Sequence, residues 1–127
     1  MLEDPLISAL EKAVTGSALR HQAILNNISN VNTPDYKRVD VNFKSSLAEV
    51  LNQSSTSDSS EFIEEIKNLQ PSISVEEDTS LRNDGNNVDI DTEMSVLAKN
   101  SMEYENYVTL LSKKLSILKT VVNEGRK

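Results

Sequence analysis

The sequence predicts a mainly α protein in which two long terminal helices form an antiparallel, coiled-coil-like hairpin around a small irregular and β-containing middle segment. Two observations support this fold class. Apolar residues recur at helical spacing near both ends of the chain, and the stretch between them is polar, acidic and rich in turn-forming residues. With 127 residues the chain has room for one modest core. We divide it into an N-terminal helix (1–33), a middle segment (34–89) and a C-terminal helix (90–127).

The N-terminal helix is predicted from Asp4 to about Val31, where apolar residues alternate at spacings of three and four. Asp4 followed by Pro5 suits a helix start, because Asp is a good N-cap and Pro is tolerated in the first turn. Ser17 and His21 occupy two positions of a stripe that is otherwise apolar. The residues predicted to pack against other helices are Ile7, Leu10, Val14, Ile24, Ile28 and Val31.

The C-terminal helix carries an apolar stripe at alternating spacings of four and three from Ile90 to Val122, and Asp89 is its expected N-cap. A second apolar row lies beside the stripe, so the apolar face is wider than a two-helix seam requires. We therefore expect other protein molecules to cover part of this face. The predicted packing residues are Met94, Leu97, Tyr104, Val108, Leu111, Leu115, Leu118 and Val122, and the second row is Tyr107, Leu110, Ile117 and Val121.

The middle segment combines several short patterns. The alternation of Val39, Val41 and Phe43 predicts a strand, whereas Phe62, Ile66 and Leu69 have helical spacing. Alternation resumes in residues 72–90, where Asp84 and Gly85 form a turn signal that predicts a β-hairpin. The Ser-rich tract 52–60 is predicted to be flexible, since it has too little apolar surface to offset its ordering entropy.

Charge and composition exclude several classes of function. The net charge of -7 is divided into -1 over residues 1–50, -9 over 51–93 and +3 over 94–127. This balance disfavours nucleic acid and anionic membranes as partners. No apolar run is long enough for a membrane span, and the acidic N-terminus lacks the pattern of a cleavable secretory signal.

No catalytic, cofactor-binding or metal-binding residue is predicted, and no small-molecule substrate is expected. The chain has one histidine and no cysteine, and the loop DGNNVDIDTE lacks the order of calcium ligands in an EF-hand. His21 is more simply a packed or rim residue of the first helix. No nucleophile with a neighbouring base can be named either, which argues against an enzyme.

The stretch NNISNVNTPDYKR ends the first helix, because Pro34 disfavours a helical conformation at the residue before it. Its assembly and turn motif consists of Asn26, Asn27, Asn30, Asn32, Thr33, Pro34, Asp35 and Tyr36. One interpretation is that these polar residues only terminate the helix. The other is that the amides form hydrogen bonds between subunits and fix the angle between the helix and the strand after it.

Two longer segments carry a family resemblance. NNISNVNTPDYKRVDVNF resembles the N-terminal signature of bacterial flagellar axial proteins, in which an Asn-rich helix end runs into a Thr-Pro-Gly-Tyr-Lys turn. DGNNVDIDTEMSVLAKNSMEYENYVTLLSKKLSILKTVV resembles the C-terminal signature of the flagellar basal-body rod proteins, and among them most closely the proximal rod proteins. Asp35 replaces the usual Gly of the turn, and Asp tolerates left-handed conformations better than most residues.

The resemblance implies a structural subunit of the basal-body rod that is exported by the flagellar type III apparatus without a cleaved signal peptide. It implies assembly through the terminal helices into a periplasmic drive shaft. The implied partners are other rod proteins, copies of the chain, a base-region adaptor protein, and the export gate and membrane ring. It also favours the intersubunit interpretation of the asparagines. Two alternatives stay open: a soluble helical adaptor or chaperone-like partner-binding module, and another flagellar axial protein, either a different rod subunit or a hook-type subunit.

Overall fold

The structure is a computed structural model that describes residues 4–53 and 59–126. In chain order its elements are α1 (Pro5–Ser29), β1 (Val39–Asn42), α2 (Lys44–Gln53), α3 (Ser59–Asn68), β2 (Ser72–Val75) and α4 (Ile90–Glu124). The predicted mainly α fold, with two long terminal helices and a small β-containing middle, is confirmed. Within the described ranges, no helix has both the length and the apolar character of a membrane span.

Both long helices begin at the predicted caps. The Asp4 carboxylate accepts a hydrogen bond from the Leu6 amide at 2.8 Å, and the Asp89 carboxylate accepts from the amide of Asp91 at 3.1 Å. These side chains satisfy amide groups that have no partner within the first helical turn. The 35 residues of α4 span about 52 Å and the 25 residues of α1 about 37 Å, at about 1.5 Å per residue.

The two helices run antiparallel. Near the start of α1, Asp4 pairs with Lys114 at 3.0 Å. Further along α1, the Ser17 carbonyl oxygen accepts a hydrogen bond from the Asn100 amide at 2.9 Å. Because the partner on α4 moves toward its N-terminus as the chain proceeds along α1, the helices form the predicted hairpin. The part of α4 beyond Lys114 extends past the described start of α1.

The sheet has two antiparallel strands, with Val39 opposite Val75 and Asn42 opposite Ser72. The strand predicted around Val39 is therefore confirmed, but the hairpin predicted at Asp84 and Gly85 is wrong. β2 pairs with β1, and no strand lies between Val75 and α4 in the described chain. Gly85 does close a turn, since its amide donates to the Arg82 carbonyl oxygen at 3.1 Å. Across the turn the Leu81 amide donates to the Asn86 carbonyl oxygen at 3.1 Å, but no strand is formed there in the described chain.

The Ser-rich tract is only partly described. Residues 54–58 lie outside the described residues, so the predicted flexibility is not addressed there. At the edges of the tract the prediction is wrong, because residues 52–53 end α2 and residues 59–60 begin α3. The helical spacing of Phe62 and Ile66 correctly indicated α3, whereas α2 was not predicted and contains no fully buried residue.

The fully buried hydrophobic residues lie mainly in α1, β1 and α3. The Phe43 ring packs against Gly16, where a Cβ atom would clash with it, and meets Tyr107 edge-on with ring centroids 6.4 Å apart. None of the described buried hydrophobic residues belongs to α4. They are Ala9, Leu10, Ala13, Ile24, Val41, Phe43, Ile63, Ile66 and Val88.

Candidate functional site: a polar junction and an exposed helix face

The two segments that carry the family resemblance meet in space. The Asn86 side chain donates hydrogen bonds to the carbonyl oxygens of Asn30 at 2.9 Å and Thr33 at 2.8 Å. The Asp35 amide in turn donates to the carbonyl oxygen of Asp84 at 2.9 Å. These bonds attach the end of α1 to the loop that leads into α4. We call the cluster of Asn27, Asn30, Tyr36, Arg38, Asn86, Asn87 and Glu93 the polar junction.

Asn27 lies at the centre of the polar junction and is fully buried. Its amide group donates to the Val39 carbonyl oxygen at 2.8 Å, and its side-chain oxygen accepts from the Val39 amide at 3.0 Å. The same oxygen accepts from the Tyr36 hydroxyl at 3.0 Å, and the amide group also reaches Glu93 Oε2 at 3.3 Å. One side chain therefore connects α1, the turn, β1 and α4.

Glu93 brings a carboxylate into the first turn of α4 with no solvent exposure. It is paired with the Arg38 guanidinium, which also contacts Glu76 at 3.0 Å and Asp40 at 3.8 Å. Burial disfavours the charged guanidinium, but hydrogen bonding and Coulombic attraction from Glu93 outweigh this effect, and the pKa of Arg38 is raised overall. Since a buried ion is tolerated only with a partner, the two residues depend on each other.

Asn86 and Asn87 occupy buried positions just before α4. Asn86 Oδ1 accepts from the Val88 amide at 2.8 Å, and Asn87 Oδ1 accepts from the Arg38 amide at 2.6 Å. The Asn87 amide group donates to the Glu76 carbonyl oxygen at 2.6 Å. These side chains therefore satisfy backbone groups of the loop before α4 and of the residues that flank β1 and β2.

Asp35 occupies a left-handed position in the turn after α1. Asp35 has φ of 59°, the left-handed conformation that Asp was expected to tolerate. It lies against Gly85, which has φ of 84° and where a Cβ atom would clash with the Asp35 carboxylate. The neighbouring Tyr36 hydroxyl is held by Asn26 at 3.2 Å, and burial together with the charge of Glu93 raises the pKa of Tyr36.

These contacts distinguish the four asparagines of the motif from one another. All the polar atoms of the Asn27 side chain bind within the chain, so the prediction that its amide bonds to another subunit is wrong. Asn30 is half-buried and accepts a hydrogen bond from the Thr33 hydroxyl at 3.1 Å. For Asn26 and Asn32, which are exposed together with Pro34, intersubunit bonding stays a prediction.

Sequence reasoning missed Arg38, Asn86, Asn87 and Glu93 as members of the junction. All four lie inside the two quoted segments, so the resemblance marked their location but not their role. Their signal was weak because a polar residue beside a loop is usually solvated. Only the fold shows that these side chains converge.

The seam between α1 and α4 is also polar at its most buried positions. Ser17 and Asn100 have no solvent exposure, and the Asn100 side-chain amide donates to the Ser17 carbonyl oxygen. Asn100 Oδ1 has no hydrogen-bond partner among the described residues. Of the predicted packing residues, Leu10 and Ile24 are buried. The half-buried ones are Ile7, Val14, Ile28, Val31, Leu97, Leu111 and Leu118, and the exposed ones are Met94, Tyr104, Val108, Leu115 and Val122.

Much of the apolar surface of α4 is therefore exposed. Of seventeen exposed large hydrophobic residues in the described chain, ten lie on this helix. At about 100° per residue, two rows lie on either side of the face that contacts α1, about 140° apart. We call Leu110, Ile117 and Val121 flank A, and Val108, Leu115 and Val122 flank B. Their exposures range from 37% to 60%.

The described chain offers little that could support chemistry. Among its histidine, aspartate and glutamate residues, no group of three is arranged to hold a metal ion. His21 is half-buried at the rim of an open groove between α1 and α4 that Tyr104 and Glu105 also line. This position is that of the rim histidine expected from the sequence.

The fold and the junction define a class of small helical-hairpin proteins whose buried seam is polar and whose longer helix has an exposed apolar face. No protein-family model matches the chain. It is 34% identical to the flagellar basal body rod protein FlgB of Bacillus subtilis, across 94% of this chain and 95% of the relative. The FlgB proteins of Borrelia hermsii and Salmonella typhimurium are 36% and 29% identical, across 73% and 96% of this chain. The chain belongs to the family of the flagellar basal body rod protein FlgB.

The family resemblance seen in the sequence is thereby confirmed. The relatives are named as flagellar basal body rod proteins, the family that the C-terminal segment resembles. They do not favour the two alternatives, which were an adaptor or chaperone-like module and another axial protein of the rod or hook type.

Proposed function

We propose that the chain is a structural, non-catalytic subunit of the bacterial flagellar basal-body rod and that it lies in the proximal part of the rod. It assembles by packing its terminal helices against copies of itself and against other rod proteins. Its other neighbours are a base-region adaptor protein and the export gate and membrane ring. The relatives' name, flagellar basal body rod protein, supports the assignment to the rod.

The observation that carries this proposal is the apolar face of α4, which remains exposed although the hairpin is closed. Leu110 is 52% exposed, and Ile117 and Val121 are 59% and 60% exposed. A contiguous apolar surface on a small protein is a liability unless another molecule covers it. Heterologous contacts, which do not close into a symmetric dimer, would cover this apolar surface and at the same time extend an assembly.

We further propose that the chain reaches the periplasm through the flagellar type III apparatus without a cleaved signal peptide. The small core and the polar seam suit such a route, because most of the helical stability has to come from packing after transit. The family resemblance supports the route.

The test is deletion of the gene in the motile organism that carries it, followed by electron microscopy of purified basal bodies. We expect membrane rings without a rod, and recovery of rods when the gene is supplied again. Intact rods in the deletion strain would overturn the proposal. Export is tested separately by mass spectrometry of the chain recovered from basal bodies, where a trimmed N-terminus would exclude export without cleavage.

A further inference from the structure

The two flanks of α4 are comparable surfaces that face different directions. Flank A extends from Leu110 to Val121 and flank B from Val108 to Val122, so they have nearly the same length and lie at nearly the same height along the helix. The seam with α1 lies between them, because Tyr107, Leu111 and Lys114 project at intermediate angles. One neighbour on one side therefore cannot cover both flanks.

We propose that flank A of one copy packs against flank B of a second copy, with the two α4 helices parallel. This inference rests on the proposed function as a rod subunit and specifies how copies meet. The contact is heterologous, since the two partners use different surfaces, and each added copy presents a free flank to the next. A symmetric dimer through one flank would leave the other exposed.

The charges that border the flanks are complementary in one register. Flank A is bordered by Lys113 and Glu124, and flank B by Glu105 and Lys119. All four residues are exposed. At about 1.5 Å per residue, Glu105 is level with Lys113 of a neighbour displaced by about 12 Å, and Lys119 is level with Glu124 of a neighbour displaced by about 7.5 Å. An intermediate displacement of about 10 Å brings both pairs to within about 2–3 Å of the same height, which these long side chains can span.

Both pairs then join opposite charges, as the bordering positions of parallel coiled coils do. The partner that fits is a second copy of this chain, because both complementary surfaces and both sets of bordering charges belong to one sequence. The stagger of about 10 Å, at about 1.5 Å per residue, also suits a helical array in which successive subunits rise along an axis.

The chain contains no cysteine, which allows a clean cross-linking test in the assembled rod. The variant with Leu115→Cys and Val121→Cys carries one thiol on each flank, and each single substitution serves as a control. Purified basal bodies are treated with a short bismaleimide and analysed by denaturing gel. We expect a ladder of dimers and higher multiples for the double variant and only background dimer for each single variant.

The outcomes distinguish a failure of the flank contact from a failure of the proposed rod function. A ladder from the double variant alone supports the flank contact. Dimers from a single variant would indicate a symmetric contact and overturn the flank contact. The flank contact is also overturned if the double variant is present in basal bodies but gives no ladder. Absence of the wild-type chain from basal bodies would instead overturn the proposed function.

Charge exchange provides a second test that does not depend on the thiols. We expect Glu105→Lys to reduce the amount of chain incorporated into basal bodies, because it would face Lys113 of the neighbour. Adding Lys113→Glu should restore incorporation. If the double charge variant is no better than Glu105→Lys alone, the proposed register is wrong. The charge variants therefore still test the flank contact if the cysteine variants are not incorporated into basal bodies.

Discussion

The polar junction and the distal half of α4 differ in which side chains they bury and which they expose. In the junction, polar side chains such as Asn27 and Glu93 are fully buried and bind within the chain. In distal α4, apolar side chains such as Ile117 and Val121 are exposed. The junction sets the geometry of the single chain, and the apolar face is the surface that we propose for contacts between subunits. Shape within the chain and adhesion between chains are therefore separable, and substitutions in the two regions should behave differently.

The largest effect on stability is expected from removing the cation of the buried ion pair. Arg38→Leu leaves the Glu93 carboxylate buried without its partner, which costs about 3–5 kcal/mol of unfolding free energy. The measurement is urea denaturation followed by circular dichroism. Arg20→Leu is the matched control, because its ion pair with Asp40 is partly exposed and contributes about 0–1 kcal/mol. Equal losses in the two variants would contradict the importance of the junction.

A somewhat smaller loss is expected at the amide that connects the elements. Asn27→Ala leaves the backbone amide and carbonyl of Val39 without partners, at a cost of about 1–3 kcal/mol. The exposed Asn32→Ala should change unfolding by no more than about 0.5 kcal/mol. The same denaturation experiment compares them. If both substitutions were neutral, the internal role assigned to Asn27 would have no support.

A loss of about 1–2 kcal/mol is expected for Gly85→Ala, because an L residue is strained at the left-handed φ of this position. The new Cβ atom also meets the Asp35 carboxylate. Adding Asp35→Gly removes the clash but not the φ strain, so it should recover only part of the loss. Full recovery would show that the clash alone matters, and no recovery would show that backbone strain dominates. A double-mutant cycle of thermal unfolding measures this coupling.

The smallest effect on stability is expected in distal α4. Ile117→Glu replaces an exposed side chain with a good helix former, so the free energy of unfolding should change by no more than about 0.5 kcal/mol. Incorporation into basal bodies should nevertheless be lost, because a charge would enter flank A. Complementation of the deletion strain measures incorporation, and circular dichroism measures stability. Normal incorporation of this variant would show that the exposed face is not used between subunits.

The sequence predicted the features that depend on local pattern. The periodicity of apolar residues located both terminal helices, and Asp4 and Asp89 correctly marked their starts. The alternation around Val39 located β1. Each of these signals lies within a few residues of the element that it describes, so no knowledge of distant partners was needed.

Features that depend on distant partners were missed. The pairing of β1 with β2 cannot be read from local alternation, so the turn signal at Gly85 predicts a hairpin that the structure does not contain. The face of α4 that contacts α1 is rotated by roughly 60° from the predicted stripe, at about 100° per residue. Apolar periodicity located the larger apolar surface of α4, whereas the seam is built around Glu93 and Asn100, which such a pattern treats as solvated.

The contacts that close the fold join residues far apart in the sequence. Asn86 to Thr33 spans 53 residues, Asn27 to Glu93 spans 66, and Asn100 to Ser17 spans 83. Contacts of such long range form slowly, because a large loop has to close before any contact is gained. An N-terminal portion of the chain on its own lacks the residues that complete these contacts. Folding waits until residues 86–100 are free to return to α1, so the order in which the chain emerges from any narrow passage controls when it acquires its shape.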